Sequence, residues 1–377
     1  MDFSFSQEQT LLKDSVQRFL EDNYSFLDRQ KLAGSEEGFS RKHWSTFAEL
    51  GWLALPLPED AGGFGGTAIE TMILMEEFGK GLVLEPYVPS IVLGANCIAM
   101  SGNASAIDDV LPGILAGEKL AALAWVEPGA RFELANVSTT ASGSDDFTID
   151  GAKGVVVGGP SADYFIVPAR TSGARTDERG VTLFLVEAGA EGISQRNYRT
   201  IDGQRASELS FAGVKVPSSA VLGEVDDGMQ LLRRVVDQGI LAVSAEAVGA
   251  MEVMYKSTVE YCQTREQFGQ PIGKFQVLQH KMVDMFMEHE QTKSLLYMAA
   301  LRLVEGDLDV ARQALSALKV RVGKAGRFVG QGAIQLHGGM GMTEEMAVGH
   351  YFKRVTAIDA MFGNADYHLK RYARAAA

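Results

Sequence analysis

The hydrophobic period of this chain changes twice, and that constrains the fold more than any single motif. Up to about residue 119 the apolar positions recur at helical spacing. Leu11, Leu12, Val16, Phe19 and Leu20 share one face behind a Ser6/Gln9 capping box. Trp44, Phe47 and Leu50 mark a short helix stopped by Gly51, and Met72, Ile73, Leu74 and Phe78 mark another over Glu70–Gly79. Further helices are predicted around Ser90–Met100 and Ile107–Ala116, and Pro56, Pro58 and Gly62–Gly66 read as a loop.

From Leu120 short apolar runs alternate with Gly and Asp turns: Leu120–Trp125, Val137–Ala141, Phe147–Ile149, Gly154–Val157, Tyr164–Ala169, Val181–Val186, Leu209–Phe211 and Val214–Val216. That spacing predicts a small β-sandwich or barrel, with polar Thr171–Gly180 as a hairpin loop. After Gly228 the 3.6-residue rhythm returns through Leu232, Val236, Val243 and Met251, then over 275–304, 310–336 and 344–374. Four long helices with short connections predict an up-down-up-down bundle. The expectation is an α+β, mostly α, protein: a helical domain over 1–119, a β domain over 120–226 and a four-helix bundle over 227–377.

Composition narrows the function classes. Net charge is −13, which disfavours nucleic acid and anionic membrane as partners. The two cysteines, Cys97 and Cys262, stand far apart in apolar contexts, so the expectation is a reducing compartment, without disulfides or a cysteine metal site. The six histidines have no ligand spacing, and no metal is expected. The start MDFSFSQEQ is not a signal peptide, and no apolar run reaches membrane-spanning length. Cytoplasmic is the default localisation.

Two stretches carry chemistry. In Thr264–Gln276, TREQFGQPIGKFQ, the residues Gly269, Pro271 and Gly273 interrupt two long helices. There Arg265 offers a charged fork, Phe268 a flat apolar ring and Gln276 an amide, a set suited to a nucleoside diphosphate. In Gln335–Glu345, QLHGGMGMTEE, Gly338 and Gly339 permit close backbone approach one turn after Gln335.

Together these stretches closely resemble the flavin acyl-CoA dehydrogenase family. ELGWLALPLPEDAGGFGG, LPGILAGE, WVEPGA and VKVPSSAVLGE fall in family order too, so the resemblance covers essentially the whole chain. Within the family it is most like the small subunits of pimeloyl-CoA dehydrogenase-type heteromers. The resemblance implies FAD as cofactor, with Arg265, Phe268, Gln276, Gln335, Gly338 and Gly339 gripping the adenosine and pyrophosphate end of a neighbouring subunit's FAD. It also implies α,β-dehydrogenation of an acyl-CoA thioester: a carboxylate takes the α-proton while the flavin takes hydride.

The other half of the family's machinery is missing. One family base lies in a Tyr-Glu-Gly-Thr run, which falls here on Met361-Phe362-Gly363-Asn364; the other falls on Gly239. Asp359 and Glu246 are weak substitutes nearby. The family threonines that hydrogen-bond the flavin ring are Val126 and Val157 here, and the family's Gly-Ser-Asp is Arg131-Phe132-Glu133. The resemblance then implies a subunit inactive alone that completes the FAD site of a larger homologous partner. Two copies of each chain are expected, with the acyl-CoA mainly in the partner and an electron-transfer flavoprotein as acceptor. A self-sufficient homo-oligomeric dehydrogenase with a displaced base, and a non-catalytic scaffold of the same fold, stay open at this point.

Overall fold

In the computed structural model, residues 5–375 are described. Seven helices precede the sheet: α1 (Gln7–Asn23), α2 (Phe26–Gly34), α3 (Arg41–Glu49), α4 (Ala68–Gly81), α5 (Asn96–Met100), α6 (Ala104–Asp109) and α7 (Leu111–Leu115). Eight strands follow: β1 (Ala121–Leu123), β2 (Thr140–Gly143), β3 (Asp146–Val157), β4 (Tyr164–Arg170), β5 (Val181–Glu187), β6 (Ile193–Arg199), β7 (Arg205–Pro217) and β8 (Val221–Leu222). The rest is α8 (Met229–Thr264), a hairpin of β9 (Glu266–Gln267) and β10 (Gln270–Pro271), then α9 (Gln276–Glu305), α10 (Leu308–His337), α11 (Ala347–Ala360) and α12 (Ala365–Ala375). Two compact units arise. One takes the chain up to Lys31, Thr67–Val83 and everything from Ile240 on; the other takes Leu32–Gly66 and Leu84–Gly239.

In the second unit the strands form one hydrogen-bonded network in the order β6-β7-β3-β2-β4-β5-β8, with β1 parallel to β4. Its apolar centre holds Phe147, Ile149, Phe165, Val167, Phe184 and Leu209. The runs Phe147–Ile149 and Gly154–Val157 are one strand, because the intervening glycines mark shifts of register in the β3–β7 ladder rather than turns. Likewise Leu209–Phe211 and Val214–Val216 are both β7. Strand β6 was not predicted: ISQRNYR is polar along its length and survives as an edge strand because it pairs on one side only. Thr171–Gly180 is the β4–β5 connection, as expected, and it is tied by the buried Arg170 guanidinium to the carbonyls of Ala135, Arg175, Asp177 and Arg179. The helix predicted over Ser90–Met100 begins as a π-helical turn over Val88–Ala95, and the one predicted over Ile107–Ala116 is divided into α6 and α7.

In the first unit α10 packs on α9, α11 and α12, and α4 packs on α1 and α9. The predicted Ser6/Gln9 capping box is present, and Val16 and Phe19 are buried, whereas Leu11 lies in solvent. Helices α4 and α8 cross on a reciprocal pair of glycines. A Cβ on Gly79 would stand 2.0 Å from the Glu246 carbonyl oxygen, and one on Gly249 would stand 1.9 Å from that of Glu76. Around this crossing lies an ion network: Lys293 meets Glu76 at 2.7 Å, Lys80 meets Glu77 at 2.9 Å and Glu252 at 3.3 Å, and Lys256 meets Glu252 at 2.5 Å. The fourth bundle helix is not continuous over 344–374. It breaks between Ala360 and Ala365, where Phe362 and Gly363 take φ of 56° and 112°.

Candidate functional site

The sequence around Arg265 folds into more than a helix–helix turn. Backbone N–H of Arg265 closes α8 on the Tyr261 carbonyl, and the Arg265 carbonyl accepts from Ile272 N–H across the hairpin. At its tip Phe268 and Gly269 have φ of 55° and 76°, the paired left-handed conformation that a two-residue hairpin requires. Glycine takes this conformation freely, while phenylalanine is strained in it. The Phe268 ring stands in solvent, 92% exposed.

The second stretch lies at the same end of the bundle. The His337 ring stacks on Tyr261 at 4.4 Å between centroids, joining the last turn of α10 to the last turn of α8. Gln335 is two residues earlier on α10 and lies exposed, as His337 is buried. Gly338 (φ 62°) ends the helix, and a Cβ on Gly338 or Gly339 would meet nothing within 4 Å. Gln276 is the first residue of α9. The side chains of Arg265, Gln276 and Gln335 make no hydrogen bond or ion pair with any described residue. A charged fork, two free amides, an exposed ring and an open glycine cradle fit the diphosphate and adenosine end of a dinucleotide. The Tyr261–His337 stack was not foreseen; its signal was His337 two positions beyond Gln335, on the inward side of the helix.

The two positions expected from the resemblance to carry a base hold no carboxylate. Phe362 is buried in the α11–α12 turn and Gly239 is buried within α8. Both weak substitutes are engaged structurally. Glu246 forms a two-point pair with Arg354, Nε to Oε1 at 2.5 Å and Nη2 to Oε2 at 2.7 Å, with both side chains buried. Asp359 accepts from Ala365 N–H at 3.2 Å, capping α12, and lies 3.8 Å from Arg327. Glu246 is thus committed to a buried ion pair and Asp359 to the start of α12.

The flavin-strand positions are apolar too. Val126 lends its carbonyl to Gly154 N–H, and Val157 pairs with Ala206 in the β3–β7 ladder. Neither side chain can donate to a flavin ring, and each ring group left unmet when buried costs about 1–3 kcal/mol. Next to Val126 is a buried ion pair the sequence did not reveal, Lys153 Nζ to Glu127 Oε1 at 2.5 Å, with Ser138 and Thr139 also donating to Glu127. Burial opposes its ionisation, but the Lys153 ammonium and the hydrogen bonds from Ser138 and Thr139 together outweigh that and lower the Glu127 carboxyl below its ordinary value. In the bulge beyond Lys153, Val155 has φ of 50° and lies half exposed, an outlier for a β-branched residue. The residues of this chain thus fit one end of FAD and not the other. Among the described residues there is no cluster that could hold a metal ion, and no helix is long and apolar enough to cross a membrane.

Comparison with known proteins identifies the family and the fold. Three family models match in order: "Acyl-CoA dehydrogenase, N-terminal domain" over residues 6–118, "middle domain" over 122–214 and "C-terminal domain" over 226–377. Mitochondrial isovaleryl-CoA dehydrogenase from Pongo abelii is 30% identical, over 96% of this chain and 86% of its own. Among solved structures, the ChsE4-ChsE5 complex from Mycobacterium tuberculosis superposes with a TM-score of 0.90 at 26% identity, over 99% and 98% of the two chains. The FAD complex of PigA does so at 0.91 and 26%, over 99% and 98%. The fold, with its N-terminal helical, middle β and C-terminal helical domains, and the chain itself belong to the acyl-CoA dehydrogenase family of FAD-dependent flavoprotein oxidoreductases.

Proposed function

We propose that this chain is the subunit of a heteromeric acyl-CoA dehydrogenase that lacks the catalytic carboxylate and completes the FAD site of a larger homologous partner. The observation that carries the reading is one-sidedness. Phe362, Gly239, Val126 and Val157 stand where base and flavin-ring donors would be, while Arg265, Phe268, Gln276, Gln335, Gly338 and Gly339 stand exposed together at one end of the bundle. Undirected decay would not spare one half. In this reading the partner supplies the α-proton acceptor, the ring contacts and the main acyl-CoA slot. This chain supplies the guanidinium and amides that hold the diphosphate and adenosine. FAD supplies the hydride acceptor when bound.

The assembly holds two copies of each chain in the cytoplasm and passes electrons to an electron-transfer flavoprotein, as the family resemblance implies. The neighbour solved as the ChsE4-ChsE5 complex supports a pairing of two such chains. In this reading the chain resembles the small subunits of pimeloyl-CoA dehydrogenase-type enzymes, with domain limits at 1–119, 120–226 and 227–377.

Arg265→Ala in the co-purified complex tests the grip. Loss of a charged fork on a diphosphate costs roughly 1.5–3 kcal/mol, so FAD affinity falls about tenfold or more while the chains stay paired. Unchanged FAD retention would point instead to a scaffold without cofactor contacts. A self-sufficient enzyme would show activity from this chain alone that Glu246→Gln or Asp359→Asn abolishes.

A further inference from the structure

The β domain leaves one long edge open. Strand β6 ends the hydrogen-bonded network and pairs only with β7, in unbroken register from Ile193 opposite Phe211 to Arg199 opposite Arg205. The parity of this ladder is fixed at both ends. Ala212 N–H donates to the Gly192 carbonyl, and Thr200 N–H donates to the Gln204 carbonyl. In an antiparallel ladder, residues bonded to the partner strand alternate with residues whose backbone groups face away. The even-numbered residues of β6 therefore bond to β7, and the odd-numbered ones face outward. Ile193 is closed off by its own turn, its N–H donating to the Ala190 carbonyl at 3.3 Å. The outward N–H and C=O groups of Gln195, Asn197 and Arg199 have no hydrogen-bond partner among the described residues.

The strand is held in place by its own side chains. Gln195 Nε2 donates to the Gly159 carbonyl at 2.9 Å and to Ser207 Oγ at 2.8 Å, and Ser207 Oγ donates to Asn197 Oδ1 at 2.8 Å. The outward groups thus stand on a fixed backbone, and little freedom is left to lose when another strand meets them. Sheet edges are commonly guarded by a proline, a bulge or a covering element. ISQRNYR contains no proline, and its ladder with β7 has no shift of register. What the edge carries is charge. Arg196 is paired with Glu208 at 2.6 Å, but Arg199 is exposed and stands directly opposite Arg205. The Arg205 guanidinium donates to the carbonyls of Ala33, Ser35 and Gly203, and neither arginine has a carboxylate partner among the described residues. Burial and the Arg199 charge both lower Arg205 below its ordinary value. Like charges directly opposite each other weaken a ladder. In a chain of net charge −13, this corner is a local excess of positive charge.

We propose that the β6 edge takes an acidic, extended segment of a partner protein as an added strand. The free N–H and C=O groups of Gln195, Asn197 and Arg199 supply the main-chain pairing. A carboxylate of the segment lies beside Arg199 and offsets its repulsion with Arg205, which a basic or neutral strand cannot do. A second copy of this chain, paired edge to edge, would bring another Arg196 and another Arg199 into the same interface. The surface belongs to the β domain and stands whether or not the bundle end grips FAD.

The probe is the fluorescein-tagged peptide VEVEVEV, followed by fluorescence anisotropy on the full chain at low salt. It binds, and the basic peptide VKVKVKV does not. Arg199→Glu weakens VEVEVEV by about tenfold or more. Arg199 is exposed, so the melting temperature of this variant does not fall and the loss is not one of folding. Two further copies of the peptide are N-methylated, one on its glutamates and one on its valines. In an added strand only one of these sets of amides faces β6, so one copy loses about tenfold or more in affinity and the other keeps it. Absence of VEVEVEV binding, or equal binding of VKVKVKV, overturns the proposal. An equal response of the two methylated copies also overturns it, by showing a plain ionic contact without strand pairing. Dimerisation of the chain in sedimentation, blocked by VEVEVEV, would assign the edge to a second copy instead.

Discussion

Phe268 shows how a single residue can work against its own fold. Its ring lies in solvent, and its backbone sits in a conformation that costs a non-glycine residue about 1–2 kcal/mol. Phe268→Asn relieves much of this, so the variant chain melts at a higher temperature, while FAD retention in the complex falls. A drop in melting temperature with FAD retention unchanged would show that the ring serves only the hairpin. Glu246 is the opposite case. Removing one partner from a buried ion pair costs roughly 3–5 kcal/mol, so Glu246→Ala destabilises the chain by about that much in urea unfolding. At this scale the sequence foretold local backbone where a residue type was unusual in place, as with the helix break after Thr264 and the helix end at Gly338. It was silent on Arg354 and Lys153, because a buried charge and an exposed one read alike until the partner, tens of residues away, is known.

The elements were legible where periodicity was clean and illegible where polar patterning hid it. The helices α8, α9 and α10 follow their apolar rhythm closely. Strand β6 offered no alternation, and the α11–α12 break offered only one glycine inside a helical pattern. The α4–α8 crossing is a case of an element fixed by what is absent. Both glycines admit the other helix's carbonyl closer than a methyl group would allow. Gly249→Ala therefore forces the helices apart and costs roughly 1–3 kcal/mol, visible as a lower urea midpoint with an unchanged slope. A neutral effect would mean that the crossing shifts without loss.

Across the bundle unit the partly buried ion network contributes to the response to acid. Burial raises the Glu252 carboxyl, but the Lys256 hydrogen bond and the charges of Lys80, Lys256 and Lys293 outweigh it and hold the group at about 2, against an ordinary 4.5. A carboxyl lowered on folding contributes its stability above the unfolded value, and loses it as pH falls from there through the folded value. Thermal stability of the chain thus declines between about pH 5 and pH 2, and Glu252→Gln flattens that slope. Retention of the full slope in the variant would assign the acid response to other carboxylates.

In the proposed reading this chain is half of a site: a bundle end that grips one end of FAD, and a β domain with valines at positions 126 and 157 where the ring donors would stand. The most direct measurement is the flavin absorbance of this chain purified alone and again after co-expression with its homologous partner. The account predicts no flavin on the chain alone and about one FAD per pair with the partner, the ratio set by one complete site per pair. Stoichiometric FAD on this chain alone would contradict it.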